Sequence, residues 1–159
     1  MKRARVGVMA AVFLAAASMA FAQKPDFSGT WTLDPAASGM EGGGGGRGGR
    51  GGLGPGPATV KQTADALTIE RTMGDNKVTT TYKLDGSESK NTMMGRGGQA
   101  MESVSTAKWD GAKLVITSKS DMGGQTFEST QTWSLAGDAL TIETSNARGT
   151  QKRVYKKTS

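Results

Sequence analysis

The sequence contains no cysteine and no histidine. Their absence excludes disulfides, thiol nucleophiles, histidine-based triads, histidine-ligated haem and nearly all zinc sites. Proline is scarce, with four residues, and aromatic side chains are few: three Trp, two Tyr and four Phe. A chain of 159 residues with no crosslinks must stand on one hydrophobic core, and a single closed sheet of this size can supply it. A sustained helical period is also missing beyond residue 22. What is plentiful is glycine, 24 residues, concentrated in one run.

The first stretch, "MKRARVGVMAAVFLAAASMAFAQ", begins with Lys2, Arg3 and Arg5, continues apolar from Val6, and carries small residues at Ala20 and Ala22. This is the pattern of a cleaved secretory signal, residues 1–22, with cleavage after Ala22. The apolar run is too short and too alanine-rich for a membrane anchor, so no stable span is expected after cleavage. No cysteine is present for a lipid anchor, and Arg3 and Arg5 are not adjacent as a twin-arginine route requires. The remainder, 23–159, is expected to be one exported domain, periplasmic or secreted. Losing Lys2, Arg3 and Arg5 takes the formal charge from +6 to +3. Basicity is therefore no argument for nucleic-acid binding.

Beyond the signal, short alternating runs rich in Thr, Val and Ile are broken by Gly and Asp, the mark of β-strands. Ten are expected, over 28–34, 58–63, 66–72, 77–84, 87–93, 101–109, 112–119, 125–135, 139–145 and 150–157. The fifth, "SESKNTM", carries little apolar content. Leu67 and Ile69 oppose Thr68 and Glu70, Leu114 and Ile116 oppose Val115 and Thr117, and Phe127, Trp133 and Leu135 share one parity. One apolar and one polar face predict an all-β, antiparallel up-and-down meander around a single core. Lys and Glu on the other face argue against a membrane-spanning barrel, which needs an apolar outer band. "DALTIERT" (Asp65 to Thr72) recurs as "DALTIETS" (Asp138 to Ser145). The spacing is irregular, so no solenoid or propeller follows.

Alternate turns of a meander lie at opposite ends. One end receives tight connections at Asp65, Asp85-Gly86, Asp110-Gly111 and Gly137-Asp138; Asp-Gly suits two-residue hairpins. The other end receives longer, glycine-bearing loops, including the run at 39–57. With these loops come Arg47, Arg50, Arg96 and Arg148 and Met40, Met73, Met94 and Met122, with Met93 and Met101 on the border.

On this layout, "SGTWTLD" resembles the opening of the lipocalin and fatty-acid-binding (calycin-like) superfamily, whose members place Gly-x-Trp on the first strand, here Gly29-Thr30-Trp31. It is also similar to small exported bacterial proteins described as lipocalin-like or uncharacterised. The resemblance implies a barrel of about eight to ten strands, closed at one end by Trp31, with the largest loop at the open end. Lipocalins often set a late Arg across that Trp. The resemblance makes Arg153 the candidate, with Arg148 second, stacking by cation–π attraction. No disulfide and no room for a C-terminal helix exist here, and ten strands fit the fatty-acid-binding branch better than the eight-stranded one.

The glycine run reads either as a flexible excursion or as a lid over the barrel mouth. It has no Gly-Lys-Ser/Thr and no following helix, so it is no phosphate loop. Its RGG-like spacing resembles RNA-binding tails, but export separates the chain from nucleic acid. Met is adaptable at apolar surfaces and Arg suits anionic heads. Met73, Met94, Arg96, Met101, Met122 and Arg148 are therefore either solvated loop residues or the mouth of a site for a small apolar or anionic amphiphilic ligand. A thioether copper(I) site on Met93, Met94 and Met101 is a further alternative, against which their irregular spacing argues. No carboxylate pair and no Ser or Thr beside a base suggests catalysis, so no enzyme, cofactor or metal is expected. Thr80, Ser105, Ser118, Ser129 and Gln131 share the parity of the apolar residues. Burying them dry is costly unless they pair, so they signal either a hydrated or ligand-filled interior or a hydrogen-bonded core. The reading is an exported, non-enzymatic binding barrel; the rival is an envelope interaction module with a filled core.

Overall fold

A computed structural model describes residues 23–40, 52–94 and 100–158. The expected signal, residues 1–22, lies outside them, as do Arg47, Arg50 and Arg96. Ten strands run in order: β1 Gly29–Asp34, β2 Ala58–Gln62, β3 Ala66–Met73, β4 Asn76–Lys83, β5 Glu88–Met94, β6 Ala100–Asp110, β7 Lys113–Met122, β8 Gln125–Ala136, β9 Ala139–Asn146 and β10 Gly149–Lys157. Each expected strand is found. Boundaries move by one residue except at the end of β7, which continues three residues further because Ser120, Asp121 and Met122 pair with β8.

All pairings are antiparallel, and the sheet order is β4-β3-β2-β1-β10-β9-β8-β7-β6-β5. The first strand pairs with the last, Trp31 opposite Lys157 and Leu33 opposite Tyr155, so the meander curls back on itself. Strands β4 and β5 share no main-chain ladder. Side chains join them instead. The Asn91 amide acts as a surrogate peptide: Thr81 N–H donates to Asn91 Oδ1 at 2.9 Å, and Asn91 Nδ2 donates to Thr81 O at 2.9 Å. Lys83 N–H donates to Ser89 Oγ at 2.8 Å. The low apolar content of the fifth strand thus has a use: short polar side chains close a seam that backbone groups leave open.

Strand alternation delivers the core as expected. Leu67, Ile69, Tyr82, Leu84, Ala107, Leu114, Ile116, Trp133, Leu140, Ile142 and Tyr155 are all buried. The outer face holds ion pairs between neighbouring strands: Lys61–Glu70 at 3.4 Å, Lys77–Glu70 at 3.3 Å, Lys90–Glu102 at 3.5 Å and Lys119–Glu128 at 3.3 Å. Such exposed pairs add little stability each, but they set the outer wall as polar.

Candidate functional site

The closed end is a plug of aromatics under an N-terminal strap. Trp31 is 1% exposed and its Nε1–H donates to Phe27 O at 2.9 Å. Phe27 stacks on Trp109 with centroids 5.9 Å apart and meets Trp133 edge-on at 5.6 Å. Gln62 ties the strap down, accepting from Phe27 N–H and donating to Pro25 O, both at 3.0 Å. Gly29, just before Trp31, has φ 141°, a conformation side-chain-bearing residues rarely adopt. That requirement explains the Gly of the Gly-x-Trp. A surface cleft of about 330 Å³ lies beside the strap, lined by Lys24, Asp26, Gln62, Thr63, Ala64, Leu84 and Trp109. It is outside the barrel, and its Gln62 is already committed to the strap.

Arg153 is not across Trp31. Lys157 takes that place, its Nζ 5.7 Å from the Trp31 ring centroid. The register sets this: Trp31 is opposite Lys157, and Arg153 is four residues further along β10, about 13 Å toward the open end. The resemblance pointed to a late cation over the Trp, and the residue is a lysine.

Arg153 belongs instead to a polar ring halfway up the interior. Inward positions of eight successive strands supply it: Arg71 on β3, Thr80 on β4, Asn91 on β5, Ser103 and Ser105 on β6, Ser118 on β7, Gln131 on β8, Thr144 on β9 and Arg153 on β10. All are buried except Arg71 and Ser118, which are half-buried. Part of the ring is satisfied internally. Ser105 Oγ and Ser118 Oγ lie 2.8 Å apart. Trp133 Nε1–H donates to Gln131 Oε1 at 3.0 Å, and Arg153 Nη2 donates to Gln151 Oε1 at 3.1 Å. Arg71 Nε and Thr80 Oγ1 are buried with no hydrogen-bond partner.

Charge in the ring has one sign. Every Asp and Glu on the described strands falls on an outward position or at a strand end, while Arg71 and Arg153 share the inward parity of the core. Both guanidiniums act on the phenols beside them. Burial pushes the Tyr82 hydroxyl up and the charge of Arg71 pulls against it. Burial likewise pushes Tyr155 up, opposed by Arg153, by the Leu53 N–H and by Arg71.

The end of the glycine run reaches this ring. Leu53 is 1% exposed within the core, and its N–H donates to Tyr155 Oη at 3.1 Å. Gly52 has φ 74°, and a Cβ there would stand 2.8 Å from Tyr155 Oη, so only glycine lets the chain pass. Neither Leu53 nor Arg71 is among the residues expected from the sequence, although Leu53 stands out as a large apolar residue in a run of glycines and Arg71 continues the Leu67, Ile69 alternation.

The other expected residues within the described segments lie along the rim. Met73 is 59% exposed and Phe127 40%; Met101 is half-buried. Met94 and Met122 end β5 and β7 at the same mouth. Arg148 is exposed in the β9–β10 turn, its N–H donating to Asn146 Oδ1 at 2.8 Å. The structure therefore separates the described rim residues from the buried ring, and the ring holds the two inward guanidiniums among the described residues.

A ten-stranded meander, plugged at one end and seamed between β4 and β5, is superposable on solved barrels. The chain has a calycin-like fold. It is similar to the fatty acid transporter REP1-NXSQ, with a TM-score of 0.55 at 15% identity, covering 83% of this chain and 96% of that one. It is similar also to a variant of the fluorescent protein UnaG, with a TM-score of 0.54 at 17% identity, covering 84% and 96%. No family model and no curated protein matches the sequence. Identities this low carry the fold and nothing finer.

Proposed function

We propose that this chain is an exported, non-enzymatic barrel that binds an anionic amphiphile, its charged head at the Arg71–Arg153 ring and its apolar part toward the Met and Phe rim. One observation carries the reading: two inward arginines flank buried phenols on a wall whose inward strand positions hold no Asp or Glu. Arg71 Nε is buried without a partner, a cost that an anionic acceptor would remove. The bottom of the barrel is filled by Trp31, Trp133, Leu114 and Leu140, so a ligand enters from the rim. Met73 and Phe127 there offer adaptable apolar surface. The printed description of one similar barrel, a fatty acid transporter, agrees with a head-and-tail ligand.

A rival reading rests on Leu53, which is buried in the interior with its N–H on Tyr155 Oη. On that reading the barrel is a filled interaction module. Calorimetric titration separates the two. Dodecanoate is expected to bind at least about tenfold more tightly than dodecanol, the worth of one or two charge-assisted hydrogen bonds. Arg71→Gln is expected to remove that difference without lowering the melting temperature. Absence of heat with either compound, or equal affinity for both, favours the filled module.

A further inference from the structure

The wall facing the two arginines is made of hydroxyls, not hydrocarbon. Ser129, Ser118, Ser105 and Ser89 are successive register partners on β8, β7, β6 and β5, forming one row of serines across the inner face. Ser89 and Ser105 are buried and Ser118 and Ser129 half-buried. Thr80 completes the circuit beside Arg71: it is 4% exposed, and its Oγ1 has no hydrogen-bond partner. An alkyl chain laid against this wall would leave the Thr80 hydroxyl without a partner and use none of the remaining donor and acceptor capacity of the serines. A plain fatty acid would meet the arginines with its carboxylate and leave that capacity unanswered.

We propose that the head recognised by the ring is an anion carrying several hydroxyl groups, of which a uronic acid is the simplest example. This rests on the reading of the ring as an anion site. The anionic group lies between Arg71 and Arg153. The hydroxyls of the head exchange hydrogen bonds with Thr80 and the serine row, which can both donate and accept. The aglycone or acyl part leaves past Met73 and Phe127.

Three probes with one tail test it: dodecyl glucuronide, dodecanoate and dodecyl glucoside, titrated into the purified protein. The glucuronide is expected to bind at least about tenfold more tightly than either other probe, since sites built to bond hydroxyls reject analogues lacking them. The combined Thr80→Val, Ser105→Ala, Ser118→Ala variant is expected to keep its melting temperature. It removes an unpartnered hydroxyl and both members of a hydroxyl pair, which leaves no orphan. In it the glucuronide is expected to fall to the affinity of dodecanoate, while dodecanoate is unchanged. Equal binding of glucuronide and dodecanoate by the unaltered protein overturns the hydroxyl-rich head and leaves the anion site standing. A glucuronide preference that survives in the variant also overturns it. Binding of the glucoside alone, or of no probe, overturns the anion site and the present inference with it.

Discussion

The two halves of the barrel interior use the same strands for opposite ends. Below, Trp31, Trp133, Phe27, Leu114 and Leu140 pack without polar atoms other than indole N–H groups, and the Trp31 and Trp133 N–H groups each have an acceptor. Above, within a few residues along those strands, Arg71, Thr80, Ser105 and Arg153 face inward, and Arg71 Nε and Thr80 Oγ1 lack partners. The lower half stabilises the fold. The upper half costs stability, because desolvated polar groups are offset only in part by bonds within the ring. On the proposed reading, a bound anionic head would offset that cost.

The comparison breaks most sharply at the plug. Trp31→Ala is expected to destabilise the protein by about 3–5 kcal/mol, as truncation of a buried aromatic does. Thermal or denaturant unfolding measures it, and an unchanged transition would remove Trp31 from the plug. Leu53→Ala comes next, at about 2 kcal/mol, the low end for a buried leucine because a loop can partly collapse around the change. A loss below about 0.5 kcal/mol would mean that Leu53 is not held inside in solution. Asn91→Ala is smaller, about 1–2 kcal/mol, since it leaves the Thr81 N–H and C=O without their partners across the seam. Hydrogen exchange at Thr81 is expected to quicken selectively; uniform exchange along β4 would contradict the clasp.

Alkaline pH gives the smallest effect and sharpens the upper half alone. Both tyrosines are buried, and burial raises each phenol above its usual 10.0. A raised value favours the protonated form in the folded state, so stability is full below pH 10 and declines as pH rises through the folded values. Phenolate absorbance is expected to appear late and together with unfolding. Two phenols ionising near pH 10 in the folded protein would show that the ring is open to water.

Much of this was legible in the sequence, for physical reasons that vary by residue. Side-chain alternation along Leu67, Ile69 and Leu114, Ile116 has period two, so it states which face is inside without any tertiary knowledge. Inward polar residues such as Thr80 and Gln131 are legible by the same parity. Turn chemistry sorted the loops into a tight end and a long end. The identity of the cation over Trp31 was not legible, because it depends on the β1–β10 register. Arg153 and Lys157 share inward parity, and only the pairing of the first strand with the last selects Lys157. Leu53 was visible as an odd residue in a glycine run, but its destination depends on a hydrogen bond to Tyr155, more than a hundred positions away in the chain. The seam between β4 and β5 was suggested by the polar fifth strand, whereas the clasp needed Asn91 and Thr81 brought level.

The most direct test places both halves in one experiment. In an amide and side-chain ¹H–¹⁵N spectrum, titration with dodecanoate is expected to shift the guanidinium Nε signals of Arg71 and Arg153 while the indole N–H signal of Trp31, bonded to Phe27 O, stays in place. Movement of the Trp31 indole signal with the guanidinium signals unmoved would contradict the division of the interior into a filled plug and an anion-binding ring.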